Sequence, residues 1–147
     1  MATTTIDAEE IGKFFTSIFG LDVKLTDSTS DAPASGAYAT YVDGDGNEKG
    51  HIFCDLAGAS ILGAALTQIP MGAVEDAVET GEITDSLREN FDEVMNIAVN
   101  VFAGKVSGRL SLGSIETEGT PDLSKGSTFQ LSVQRYGDGQ INIWMDA

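Results

Sequence analysis

Residues 84–103 read TDSLRENFDEVMNIAVNVFA and hold the chain's most suggestive spacing. At about 100° per residue, Glu89, Asp92, Glu93, Asn96 and Asn100 collect on one side of a helix, with Asn96 near the centre of that side and Glu93 and Asn100 a turn away in either direction. The result is an acid and amide stripe. Two asparagines inside a helix each cost on the order of 0.5 kcal/mol against alanine, because the short amide competes for backbone groups. From periodicity alone, a solvated face on an acidic protein accounts for the stripe better than chemistry does. Ser86-x-x-Glu89 also matches a capping box, which would give Glu89 a purely structural task, and Asp92 has no functional reading.

Other chemistry-bearing patterns are weaker. Asp43-Gly44-Asp45-Gly46-Asn47 imitates the opening of a calcium loop, D-x-D-x-N, but Glu48 stands where the glycine is needed and Cys54 where the bidentate glutamate is needed. His51 and Cys54 are three apart, which in a strand sends them to opposite faces and makes them ordinary sheet residues. The glycines at 44, 46 and 50 have neither the spacing nor the strand-to-helix context of a dinucleotide or phosphate loop.

The whole composition narrows the classes further. The chain of 147 residues fits one domain spanning 1–147, with an ordinary globular share of apolar and charged residues. Eight basic residues against 23 acidic ones give a net charge of −15, which leaves no basic surface for a phosphate backbone or an anionic membrane. Solubility, or life in a salty cytoplasm, explains most of that charge. One cysteine and one histidine exclude an internal disulfide and most metal and nucleophile–base designs. MATTTIDAEE has neither the basic nor the apolar region of a signal peptide, and no apolar run reaches the length of a membrane span, so a cytoplasmic protein is expected.

The elements that must position the stripe follow from period and punctuation. A first helix is predicted over Asp7–Phe19, with Ile11, Phe14, Phe15, Ile18 and Phe19 on one face, Asp7 with Glu10 as a capping box and Gly20 as its stop. A short alternation over Leu21–Leu25 leads into a polar loop, Thr26–Gly36. Strands over Ala37–Val42 and Lys49–Leu56 flank the Asp43–Asn47 turn as a hairpin. Helices follow over Gly58–Gln68, Pro70–Glu79 and Thr84–Ala103, then strands over Gly108–Glu116, Ser127–Tyr136 and Gln140–Asp146, the last two joined by Gly137-Asp138-Gly139. In the long helix, Leu87, Phe91, Val94, Met95, Ala98, Val101 and Phe102 form the core side. Grouped helices and hairpin-joined strands predict an α+β domain, a mainly antiparallel sheet with helices packed on one face. No internal repeat is evident. Trp144 falls in the polar phase of the last strand, which fits either an exposed edge or interface, or a half-buried ring under a second layer.

Glu93-Val-Met-Asn96, followed by Ile-Ala-Val-Asn-Val-Phe-Ala-Gly104, resembles the E-x-x-N motif of the CheC, CheX and FliY chemotaxis phosphatases. The likeness extends to the order of elements and to Gly50–Gly72, GHIFCDLAGASILGAALTQIPMG, and the single motif makes CheX the nearest relative. The resemblance implies hydrolysis of phosphoaspartate on a CheY-like response regulator in chemotaxis or related two-component signalling. In that family the glutamate, here Glu93, grips a receiver lysine, and the asparagine, here Asn96, orients the attacking water. An amide suits that role, since it offers a donor and an acceptor and does not titrate. No metal or cofactor is implied for this chain, because Mg²⁺ belongs to the receiver, and a homodimer is implied. Glu89 and Asn100 stand on the rim, where the family has Ser or Asp and glycine respectively, and Pro121 comes later than the family's proline. The alternatives are a catalytically inactive module of the same fold that binds receivers or adaptors, and a salt-adapted domain unrelated to signalling.

Overall fold

The computed structural model describes residues 7–28, 36–102, 105 and 108–146. Helix α1 (Ala8–Phe19) starts where the Asp7 carboxylate accepts the Glu9 and Glu10 N–H groups, and it stops at Gly20, whose φ of 70° is left-handed. Asp7 caps as predicted. The Glu10 side chain does not turn back to complete a box; it reaches across to Lys105 instead.

Strand β1 (Val23–Asp27) extends past the predicted end at Leu25, and 29–35, most of the predicted loop, lies outside the described residues. Strands β2 (Gly36–Val42) and β3 (Glu48–Asp55) form the expected hairpin. Its turn uses Asp43 Oδ1 to accept the N–H groups of Asp45 and Asn47 at 2.9 and 3.0 Å, so the D-x-D-x-N pattern is turn chemistry. Those N–H donors also hold the Asp43 carboxyl below the usual carboxylate range. Asp55 then caps α2 (Leu56–Thr67), which therefore begins two residues before the predicted start. Helix α3 (Met71–Thr80) has Pro70 as its N-cap, and α4 (Asp85–Ile97) has Thr84.

Beyond Ile97 the chain tightens into a 3₁₀ segment, Ala98–Phe102, where a continuous helix to Ala103 was predicted. Asn100 Nδ2 donates to the Ile97 carbonyl at 3.0 Å, at the point of the change. Residues 103 and 104 lie outside the described residues. The remaining strands are β4 (Ser111–Glu116), β5 (Ser127–Val133) and β6 (Gly137–Met145). The last turn is Gln134-Arg135-Tyr136, three residues earlier than predicted, because Val133 pairs with Gly137. Arg135 at φ 76° and Gly137 at φ 91° carry the positive φ there, and Gly137 and Gly139, which suggested the turn, pair in the strand.

The six strands make one antiparallel sheet in the order β1-β5-β6-β3-β2-β4. The fold is α+β, as the grouping of elements implied. Ala37, Ala39, Tyr41, Ile52, Cys54, Ile141, Ile143 and Met145 face the helices and are buried with Phe15, Leu62, Phe91 and Met95 in one core. His51 and Cys54 do lie on opposite faces of β3. The other face of the sheet is crossed by the segment after β4, which Asn142 Nδ2 holds by donating to the Leu123 carbonyl at 3.2 Å. Among the described residues, no helix is long and apolar enough to cross a membrane.

Exchanging β1 with β4, β2 with β5 and β3 with β6 reads the sheet order backwards and reproduces it. The fold is therefore two α-β-β-β halves about a pseudo-two-fold axis at the central Ile52–Ile143 pair, the middle of the β3–β6 register. This corrects the expectation of no repeat. The two halves are alike in element order and pairing and differ in length and sequence, so direct sequence comparison hides them.

Candidate functional site

Helix α4 is amphipathic, and its inner side is buried as predicted: Leu87, Phe91, Val94 and Met95 are inaccessible, and Ala98, Val101 and Phe102 continue that side. Burying an apolar stripe of this size against a sheet and a second helix sets the rotation of the helix. Two features then set its position. Gly63 on α2 approaches so closely that a Cβ there would lie 2.5 Å from the Leu87 carbonyl oxygen. Beside it, Asn90 Nδ2 donates to the Gly63 carbonyl at 2.9 Å and to Thr67 Oγ1 at 2.8 Å, stitching α4 to α2.

A third feature acts at the far end. Tyr41, fully buried on β2, donates its hydroxyl to the Met95 carbonyl at 2.6 Å, and its ring packs against Phe102 at 4.8 Å. Burial pushes the phenol far above its usual range, so it stays a donor at any ordinary pH. A carbonyl in the last turn of a helix lacks part of its intrahelical bonding, and Tyr41 supplies a partner immediately before Asn96. Gly63, Asn90 and Tyr41 escaped the sequence reading, since a strand tyrosine or a helix glycine has no local signature of a contact made far along the chain.

With the helix so fixed, Glu89, Glu93, Asn96 and Asn100 are exposed, as the stripe predicted. Glu93 and Asn96 sit one turn apart, and among the described residues neither side chain makes a hydrogen bond or ion pair. Asn100 is different: its amide is engaged by Ile97, so it serves the backbone junction while standing on the rim. Thr84, not Ser86, is the N-cap, through the Leu87 N–H, which removes the capping-box role for Glu89. Asp92 leans inward and is half-buried, with Oδ1 covered and unbonded, so it departs from the exposed stripe.

The same surface exists twice. Shifted by 83 positions, Glu10-Ile-Gly-Lys13-Phe-Phe-Thr-Ser17-Ile-Phe19 of α1 overlays Glu93-Val-Met-Asn96-Ile-Ala-Val-Asn100-Val-Phe102. Burial agrees at nine of the ten positions, which makes α1 the partner of α4 under the pseudo-two-fold. The charges do not follow the symmetry. On α1 Glu9 pairs with Lys13 at 3.2 Å and Glu10 with Lys105, whereas Glu89 and Glu93 on α4 are unpaired among the described residues.

Neither Glu93 nor Asn96 lines either of two wide clefts. One, of about 690 Å³, lies beside Glu82, Asp85 and Arg88; the other, of about 720 Å³, runs between α1 and β1. The acid and amide pair stands on the exposed side of α4, outside both clefts. Trp144, by contrast, is buried on β6, an interior strand, under the Lys125 ammonium 4.7 Å from its ring, so it is neither exposed nor at an edge.

No protein-family model matches the chain, and no curated protein matches it. Solved structures do. FliY from Thermotoga maritima is similar with a TM-score of 0.56 at 14% identity, covering 100% of this chain and 93% of that one. The FliM middle domain from H. pylori is similar with a TM-score of 0.53 at 14% identity, covering 95% and 84%. CheX from Vibrio vulnificus is similar with a TM-score of 0.49 at 14% identity, covering 94% and 92%. The likeness to FliY and the FliM middle domain is one of fold.

Proposed function

We propose, on the premise of a fold shared with FliY and the FliM middle domain, that the chain docks on a phosphorylated receiver domain and hydrolyses its phosphoaspartate. Asn96 orients the attacking water and Glu93 takes a cation of the partner. The observation that supports this reading is a carboxylate and an amide, one turn apart, neither of them engaged among the described residues, on the outer side of a helix whose inner side is buried. A pair exposed outside the clefts that could enclose a small substrate fits a reacting group presented by another protein.

The chemistry asked of Asn96 is modest and geometric. Its amide N–H₂ donates to a phosphoryl oxygen while its carbonyl accepts from the water, which places the water in line with the scissile P–O bond. The water oxygen bonds to phosphorus, the bond to the aspartyl oxygen breaks, and phosphate and a free carboxylate result. Because such transition states are loose, positioning supplies most of the rate enhancement. The receiver's own Mg²⁺ meets the charge of the phosphoryl oxygens.

The test is phosphate release from receiver domains of the same genome, phosphorylated with acetyl phosphate. Asn96→Ala is expected to slow turnover roughly 10²-fold, the usual loss for one preorganised polar group, with an unchanged circular dichroism spectrum. Turnover by Asn96→Ala at the wild-type rate would refute the mechanism. Tight binding by the wild type without turnover would make the chain a docking module.

A further inference from the structure

The two-fold backbone poses a problem for any partner that lands on the α1 and α4 surfaces. Two halves with the same helix outline offer two docking orientations related by the pseudo-axis, and only one brings the reacting group to Asn96. On the other half Lys13 stands where Asn96 stands, and an ammonium cannot both donate to the phosphoryl group and accept from a water.

Charge breaks the tie. The α4 side presents Glu89 and Glu93 without partners among the described residues, and so attracts a cation. The α1 side has both its acids engaged, Glu9 by Lys13 and Glu10 by Lys105. Lys105 lies where the halves meet: with Glu10, Ile11 and Phe14 from α1 and Asn100 and Val101 from the 3₁₀ segment it lines a cleft of about 80 Å³. It is thus beside the rim of the acid and amide stripe. Only eight basic residues stand against 23 acidic ones, and an acyl-phosphate site is itself anionic, so the encounter is like-charged except where a cation relieves it.

We infer that Lys105 is the anion-binding half of the docking surface: on docking it passes from Glu10 to an acidic group of the receiver, while Glu93 takes a basic one, and this polarity selects the productive orientation. The inference rests on the receiver-directed reading above. Glu10, whose side chain is 55% exposed, holds the Lys105 ammonium, 27% exposed, at the seam in the free protein, and a pair open to water on its carboxylate side can exchange partners.

The experiment compares wild type, Lys105→Gln, Lys105→Arg, Glu10→Gln and Asn96→Ala, all as the full chain. One measurement is phosphate release from an acetyl-phosphate-loaded receiver, and the other is binding to the same receiver loaded with beryllofluoride, each at low and moderate salt. Lys105→Gln is expected to raise KM and Kd roughly fivefold with kcat within twofold, and to change how both respond to salt. Lys105→Arg should restore both constants, and Glu10→Gln, which removes the carboxylate that competes for the ammonium, should lower Kd. Wild-type KM, Kd and salt response in Lys105→Gln would overturn the inference while a slow Asn96→Ala leaves the reading of the site standing. A fast Asn96→Ala would overturn that reading, and the beryllofluoride binding would still decide the role of Lys105.

Discussion

Replacing Tyr41 by phenylalanine removes one oxygen from a fully buried ring and nothing else. That oxygen donates to the Met95 carbonyl at 2.6 Å, in the last turn of α4 and next to Asn96. The loss has two parts: the net value of the hydrogen bond, about 1 kcal/mol, and the cost of a buried carbonyl left short of a partner, about 1–3 kcal/mol if nothing replaces it. The ring still packs on Phe102, so little apolar burial is lost. The expected destabilisation is about 2 kcal/mol, or a fall in Tm of about 4–8 °C for a chain of this size. Urea unfolding followed by circular dichroism measures it, with an unchanged slope showing that the unfolded state is not involved. Amide exchange would localise it, through faster exchange in residues 94–102 than in α2. A stability change below about 0.5 kcal/mol, or exchange that rises uniformly, would refute the claim that Tyr41 holds the end of the motif helix.

Gly63→Ala puts a Cβ 2.5 Å from the Leu87 carbonyl oxygen, where only backbone can yield, so α2 and α4 must part. Overpacking of about 1–3 kcal/mol should exceed the helix-propensity gain of about 1 kcal/mol; a stabilised variant in thermal melts would contradict that close approach. His51, 3% exposed, has its pKa lowered by burial first and by the Lys125 charge, against the opposing effects of the Asn142 bond and of Glu48 and Asp122. The unfolded chain therefore binds the proton more readily, and this contribution to stability is whole above pH 6.5 and declines as pH falls through the lower folded value. His51→Gln keeps an N–H donor for Asn142 and should flatten that decline in urea midpoints taken from pH 7.5 to 5; an unchanged slope would remove His51 as its source.

The sequence carried the exposed placement of the candidate residues well. Glu93 and Asn96 were legible because helical period alone sorts α4 into an apolar and a polar side, and burial of Phe91, Val94 and Met95 leaves the polar side no other direction. The predicted role of Glu89 as a cap failed for a reason equally local: Thr84 precedes Ser86 and reaches the helix start first. The end of α4 was not legible, since Asn100 closing on Ile97 and Tyr41 reaching Met95 are side-chain choices that periodicity does not encode.

By itself the sequence determined the α+β class, the four α-helices, five of the six strands, the hairpin at Asp43–Asn47 and the stripe on α4, because each rests on interactions within a few residues. Tertiary structure alone decided the strand order, the register that moved the last turn to Gln134–Tyr136, and the pairing of α1 with α4 as twin helices. Sheet pairing joins residues as far apart as Val23 and Val133, and its register is chosen by which faces can be buried together. The same packing brought Lys105 to Glu10, and so decided that two helices of one outline would differ in whether their acids are paired. An ion pair between distant residues has no spacing in the sequence to be read from; it exists only once the fold has brought its partners together.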